Sequence, residues 1–137
     1  MGVDIKRKLN LEETRDLFTK DKYAALNGFT IDEVGPGSAK CSVKLAECHE
    51  NIRGGVHGGV IFSLADFCYG VANEGVAVSL TSEINYLAAS KGSVLTAEAR
   101  CRKDGRSTVF YDISVTDDLG KDISFITMTG FRITPKE

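Results

Sequence analysis

The chain has no tryptophan, only two prolines, and no apolar run approaching the ~20 residues that a membrane-spanning helix requires. It also lacks a surplus of positive charge: 17 Lys and Arg stand against 19 Asp and Glu, for a net charge of −2. Such a chain offers no overall field to a polyanion or an anionic membrane surface, so neither nucleic acid nor membrane is an expected partner. The opening stretch MGVDIKRKLNLEETRD puts charges where an export signal would need its apolar core. Lys6 stands where a myristoylation signal needs Ser or Thr. The four cysteines, Cys41, Cys48, Cys68 and Cys101, form no C-x-x-C pair. Without an export signal they read as buried, reduced thiols, and the expected location is the cytoplasm.

What is present suits one globular domain. Its 137 residues are 42% hydrophobic and 26% charged, long enough to bury roughly two-thirds of the unfolded surface. The segment LNLEETRDLFTKDKYAALNG has Asn10 as a candidate N-cap before Leu11, Leu17 and Phe18, which predicts a short amphipathic helix. FTIDEVGPGSAKCSVKL holds two strand-like runs around a GPG turn. Four further runs follow the glycine-rich centre: VAVSLTSEINYLAA, SVLTAEARCR, STVFYDISVT and DISFITMTGFRI. In the third, Val109, Tyr111, Ile113 and Val115 alternate with more polar residues. In the second, Leu95, Ala97, Ala99 and Cys101 do the same. Period-two alternation joined by short links predicts an antiparallel sheet with one buried face, in an α+β architecture. The last run is less one-sided, with Ile126 and Met128 opposing Ile123, Phe125 and Phe131. That predicts an outer face partly covered by another subunit.

Between the strands lies NIRGGVHGGVIFSLADFCYG, residues 51–70. From Val60 to Ala72, ten of thirteen residues are apolar, which predicts a helix buried on most sides. Gly59, Ser63, Asp66 and Gly70 recur at spacings of four, three and four and so share one face. That stripe of small residues carries a lone carboxylate. Two readings of Asp66 stand side by side: a buried aspartate satisfied by amides or an arginine, or a catalytic carboxylate with a raised pKa. GGVHGG likewise reads as a tight turn, or as a helix start whose amides approach a ligand and serve as an oxyanion hole. It fits neither the phosphate-loop pattern nor the dinucleotide fingerprint. Cys48, His49 and His57 match no standard metal spacing, and no metal is expected.

Asn51 six residues before HGG, and Asp66 nine after His57, together resemble the hotdog-fold acyl-CoA thioesterases of the type found in phenylacetate degradation. The resemblance runs on through INYLAASKGSVLTAEA and KDGRSTVFYDISVTDDLGK, covering residues 25–134, with Ala88-Ala89 where the family often has a proline. It implies a single hotdog domain over 1–137, with a long central helix wrapped by an antiparallel sheet and a short N-terminal helix. Two such chains would pair, as a homodimer or homotetramer with active sites at the subunit interface, and hydrolyse an acyl-CoA without a cofactor.

The same resemblance assigns residues. The Gly58 amide would polarise the thioester carbonyl, and Asp66 from the other subunit would act as nucleophile or general base. His57 and Asn51 would orient the glycine segment, the thioester or the water, and Ser79 is the best match for a strand Ser/Thr seen in some relatives. Gly59, Phe62, Phe67 and Tyr86 are candidates to line the acyl site, although the three aromatics suit a core equally. Arg102, Lys103, Gly105, Arg106 and Ser107, in the basic turn RKDGRS, are either the coenzyme A phosphate contact or a solvated hairpin tip. A hotdog dehydratase, or an acyl-CoA-binding protein without turnover, is the alternative; no HFPG-like motif supports the former.

Overall fold

The computed structural model describes residues 5–134. Two short helices open it: α1, Leu11–Phe18, and α2, Lys22–Asn27. The one helix expected here is therefore two. Thr19 closes α1, and two residues later the Asp21 side chain caps a second start by accepting from the Ala24 amide at 2.9 Å. Asn10 caps α1 as expected, in a reciprocal box with Glu13. Gly28, at φ +76°, ends α2 in the left-handed conformation that only glycine adopts without cost.

Six strands follow: β1 (Phe29–Gly35), β2 (Ser38–Lys44), β3 (Ala77–Tyr86), β4 (Val94–Asp104), β5 (Thr108–Asp117) and β6 (Asp122–Arg132). They form one antiparallel sheet in the order β1-β2-β4-β5-β6-β3. The central helix α3, Gly58–Ala72, packs across one face of this sheet. Nine of its fifteen residues are buried, which explains its nearly all-round apolar sequence. Where α3 crosses the sheet the strands carry Ala39, Ala97 and Ala99, all 3% exposed or less, and these small side chains let the helix come close. Cys68 of α3 reaches the Ala39 and Ala97 carbonyls at 3.3 and 3.4 Å. This is the hotdog fold.

All four cysteines are free, yet the expectation of burial holds only for Cys41 and Cys68; Cys48 is exposed and Cys101 half-buried. Among the described residues no helix is long and apolar enough to cross a membrane.

The segment just ahead of α1 is tied to the far end of α3. The Arg7 guanidinium donates to the Gly35, Val71 and Ala72 carbonyls and to Thr14 Oγ1, adding a donor to two carbonyls of the last turn of α3. The two sheet edges differ. On β1 the Arg15 guanidinium donates twice to the Ile31 carbonyl, at 3.0 and 2.8 Å, whereas β3 pairs only with β6.

Candidate active site

The site begins at a loop built by Asn51. Its Oδ1 accepts from the Arg53 and Gly55 amides at 2.8 and 3.1 Å, and its Nδ2 reaches the Val56 carbonyl at 3.4 Å. With its amide on the Gly55 carbonyl, Asn51 is fully engaged in shaping the glycine segment. His57 then caps α3: Nδ1 accepts from the Gly59 amide at 2.9 Å. An accepting Nδ1 carries no proton, so the neutral ring holds its proton on Nε2. His49 stands apart at 3% exposure, with Nδ1 taking the Ala46 amide and Nε2 on the Asn27 carbonyl. Both its nitrogens serve the core.

Gly58 is the first residue of α3, and among the described residues its amide makes no hydrogen bond. It therefore points an unused donor, at the positive end of the helix, toward whatever arrives there. Tyr86 lies over it: its hydroxyl donates to the Gly58 carbonyl at 3.3 Å, and a Cβ added at Gly58 would meet the ring at 3.3 Å.

Asp66 sits two turns further along, on the stripe with Gly59 and Ser63. It is exposed in the single chain, and among the described residues it makes neither a hydrogen bond nor an ion pair. The reading in which amides or an arginine satisfy it is not what the structure shows. Desolvation by the surrounding atoms raises its pKa, and the negative charge of Asp21 adds to the rise. Eight residues at 1.5 Å each put Gly58 and Asp66 about 12 Å apart along the axis, too far to act on one carbonyl within a single chain.

The other expected residues divide. Phe62, half-buried, sits one turn before Asp66 and packs on the core. Phe67 is core, 7% exposed, with Phe18 edge-on at 5.8 Å and Phe29 at 5.7 Å. Ser79 is exposed on β3, opposite Gly130. Alternation from Thr81, Glu83 and Asn85 would place Ser79 on their face, but β3 shifts register between Ser79 and Thr81. Ser79 pairs with buried Gly130 and Ser82 with buried Met128, so these two serines share the inner face.

The basic turn joins β4 to β5. Arg102 is paired with Asp112, and the backbone of Gly105 and Ser107 is held by Arg132, which also pairs with Asp104. Lys103 and Arg106 are exposed. Leu45, from the segment leading to the 51–57 loop, bonds to Ser93 at the start of β4, while the turn lies at its end. The two are separated by an eleven-residue strand, about 35 Å. Sequence reasoning missed α2. Its signals were there, Asp21 as a cap and Asn27-Gly28 as a stop, but the three-residue break was read through. The Tyr23 hydroxyl lies 3.1 Å from Ser63 Oγ on the stripe.

The thioesterase superfamily model matches residues 53–124, from the glycine segment through β5 into β6. The chain belongs to this family. The thioesterase is 31% identical over 133 residues to a putative esterase of Archaeoglobus fulgidus, covering 93% of this chain and 86% of that one. It is 30% identical over 121 residues to the acyl-coenzyme A thioesterase PaaI of Escherichia coli, covering 85% and 86%. The solved structure of E. coli PaaI superposes with a TM-score of 0.84 at 26% identity, over 91% of this chain and 94% of that one. A hypothetical thioesterase of Streptococcus pneumoniae, solved with coenzyme A, gives 0.78 at 28%, over 88% and 99%.

Proposed function

We propose that this thioesterase hydrolyses acyl-CoA to the free acid and coenzyme A, at sites shared between two chains. The observation that carries the reading is Asp66: a carboxylate of raised pKa, without a hydrogen bond or ion pair among the described residues, on a stripe open to close approach. The unused Gly58 amide is its counterpart. A donor at a helix N-terminus stabilises the oxyanion that forms when a thioester carbonyl is attacked, and a carboxylate delivers that attack as nucleophile or by taking a proton from water. Because the two are about 12 Å apart in one chain, the carbonyl meets Gly58 of one subunit and Asp66 of the other. Pairing through the β3 edge provides such an arrangement, and the exposed Val78, Leu80 and Phe131 around that edge supply apolar surface for it. Asn51 and His57 hold the glycine segment in shape, and Tyr86 fixes the Gly58 end. In such a pair the basic turn serves the partner's site, where Lys103 and Arg106 are free to meet the coenzyme A phosphates. The relatives named above include an acyl-coenzyme A thioesterase and a structure with coenzyme A bound, which supports this substrate class.

The test is hydrolysis of a panel of acyl-CoAs, aromatic and aliphatic, followed by thiol release. Turnover of at least one, lost in Asp66→Asn, is the expected result; no turnover with tight coenzyme A binding would leave a binding protein instead.

A further inference from the structure

Beside Asp66 stands a short helix that the reaction scheme does not use. α2 is anchored by Ala24, 3% exposed, while Tyr23 and Leu26, three residues apart on one face, are 58% and 81% exposed. Ser63 Oγ donates to the Gly59 carbonyl at 2.7 Å, so in its 3.1 Å contact with Tyr23 the phenol is the donor. That bond fixes α2 alongside the stripe, three residues before Asp66. The cap of α2, Asp21, is close enough that its charge raises the pKa of Asp66. An acyl group whose carbonyl lies at Asp66 therefore has α2 beside it, with an aromatic ring, a leucine and one negative charge.

We propose that α2 is the selecting wall of the acyl site: Tyr23 and Leu26 receive an uncharged, apolar acyl group, and the Asp21 carboxylate repels acyl groups that end in a second carboxylate. The inference rests on the thioesterase reading above. Apolar contact with Tyr23 and Leu26 already disfavours a terminal carboxylate by desolvating it, so the part played by the Asp21 charge is the change in discrimination when that charge alone is removed.

The experiment compares pentanoyl-CoA with glutaryl-CoA, matched in length and differing in a terminal carboxylate. Asp21→Asn keeps an oxygen for the Ala24 amide, so the cap survives and the charge goes. Its effect on Asp66 is common to both substrates and cancels in the ratio of their kcat/KM values. The glutaryl-to-pentanoyl ratio should rise about fivefold, the order expected for one like charge nearby in a partly wetted site. Tyr23→Ala should lower kcat/KM for pentanoyl-CoA more than for acetyl-CoA, whose acyl group is too short to reach the wall.

The corresponding S-alkyl-CoA thioethers, one neutral and one ending in a carboxylate, repeat the measurement as binding to Asp66→Asn protein with and without Asp21→Asn. Ratios within twofold of the parent in both assays would overturn the role of α2. Failure to bind either thioether would remove the acyl-CoA reading itself, and the inference with it.

Discussion

Replacing Gly58 with proline removes one hydrogen-bond donor and little else. The first position of a helix is where proline is most at home, because its missing N–H has no partner within the helix. The residue before a proline must be extended, and His57 already is, at φ −67° and ψ 130°. The added ring meets Tyr86 at 3.3 Å, and Tyr86, 56% exposed, has room to give. The fold should therefore hold or gain slightly, since proline restricts the unfolded chain by about 0.5–1 kcal/mol. Losing an oxyanion donor should lower kcat by roughly 10²–10³, equivalent to about 3–4 kcal/mol. Co-expression with Asp66→Asn supplies the second half of the test. Each parent is inactive, but a mixed dimer has one site with both an intact Gly58 and an intact Asp66. Random pairing makes half the dimers mixed, with one of two sites working, so activity per chain should return to about a quarter of wild type. Thiol release on purified mixtures, with thermal melts of each variant, reads both effects. A folded Gly58→Pro protein within tenfold of wild type would refute the oxyanion role. Mixtures no more active than their parents would refute the shared site.

Asp66→Asn should lower kcat by at least a hundredfold while raising Tm at pH 7. Its carboxyl has a raised pKa in the folded protein, so the folded state binds a proton more readily than the unfolded one. Wild-type stability thus falls as pH rises through that window, and the gain from asparagine, full above the folded pKa, should vanish below about pH 3.9, the usual carboxylate value; melts at pH 3 and pH 7 check it. Lys103 and Arg106, changed together to alanine, should raise KM for acyl-CoA with kcat nearly constant, and should leave a truncated thioester without the nucleotide untouched. Gly130→Ala should destabilise by about 1–3 kcal/mol in denaturant titrations, because its methyl would collide with the Tyr69 hydroxyl and come within 3.0 Å of Val109. That hydroxyl is buried and among the described residues has no hydrogen-bond partner, so Tyr69→Phe alone should cost nothing and should recover part of the loss in the double variant.

The fold was largely legible because its signals are local and agree with one another. Period-two alternation in β4 and β5, and ten apolar residues in thirteen along α3, leave few architectures that bury both faces. That HGG opens α3, and that Asp66 shares a face with Gly59 and Ser63, was legible in the spacing, while the roles given to these residues came from the family resemblance. Three things were not. The α1–α2 break turns on a three-residue gap that periodicity averages over. The shift in β3 is a local extra residue that reverses inside and outside for Ser79, and no pattern of residue types announces it. The core position of Phe67 depends on Phe18 and Phe29 arriving from distant segments to enclose its ring.

Arg15 has a bearing on how far such sheets can grow. A sheet with two open edges is a template for endless addition, each new chain leaving another edge exposed. Here one side is occupied: the guanidinium of Arg15 holds the Ile31 carbonyl on β1. Two chains joined through β3 would end in β1 on both sides, each terminus carrying its own plug. Addition along the sheet would then halt at two, and the open edge would yield a closed particle rather than a fibre.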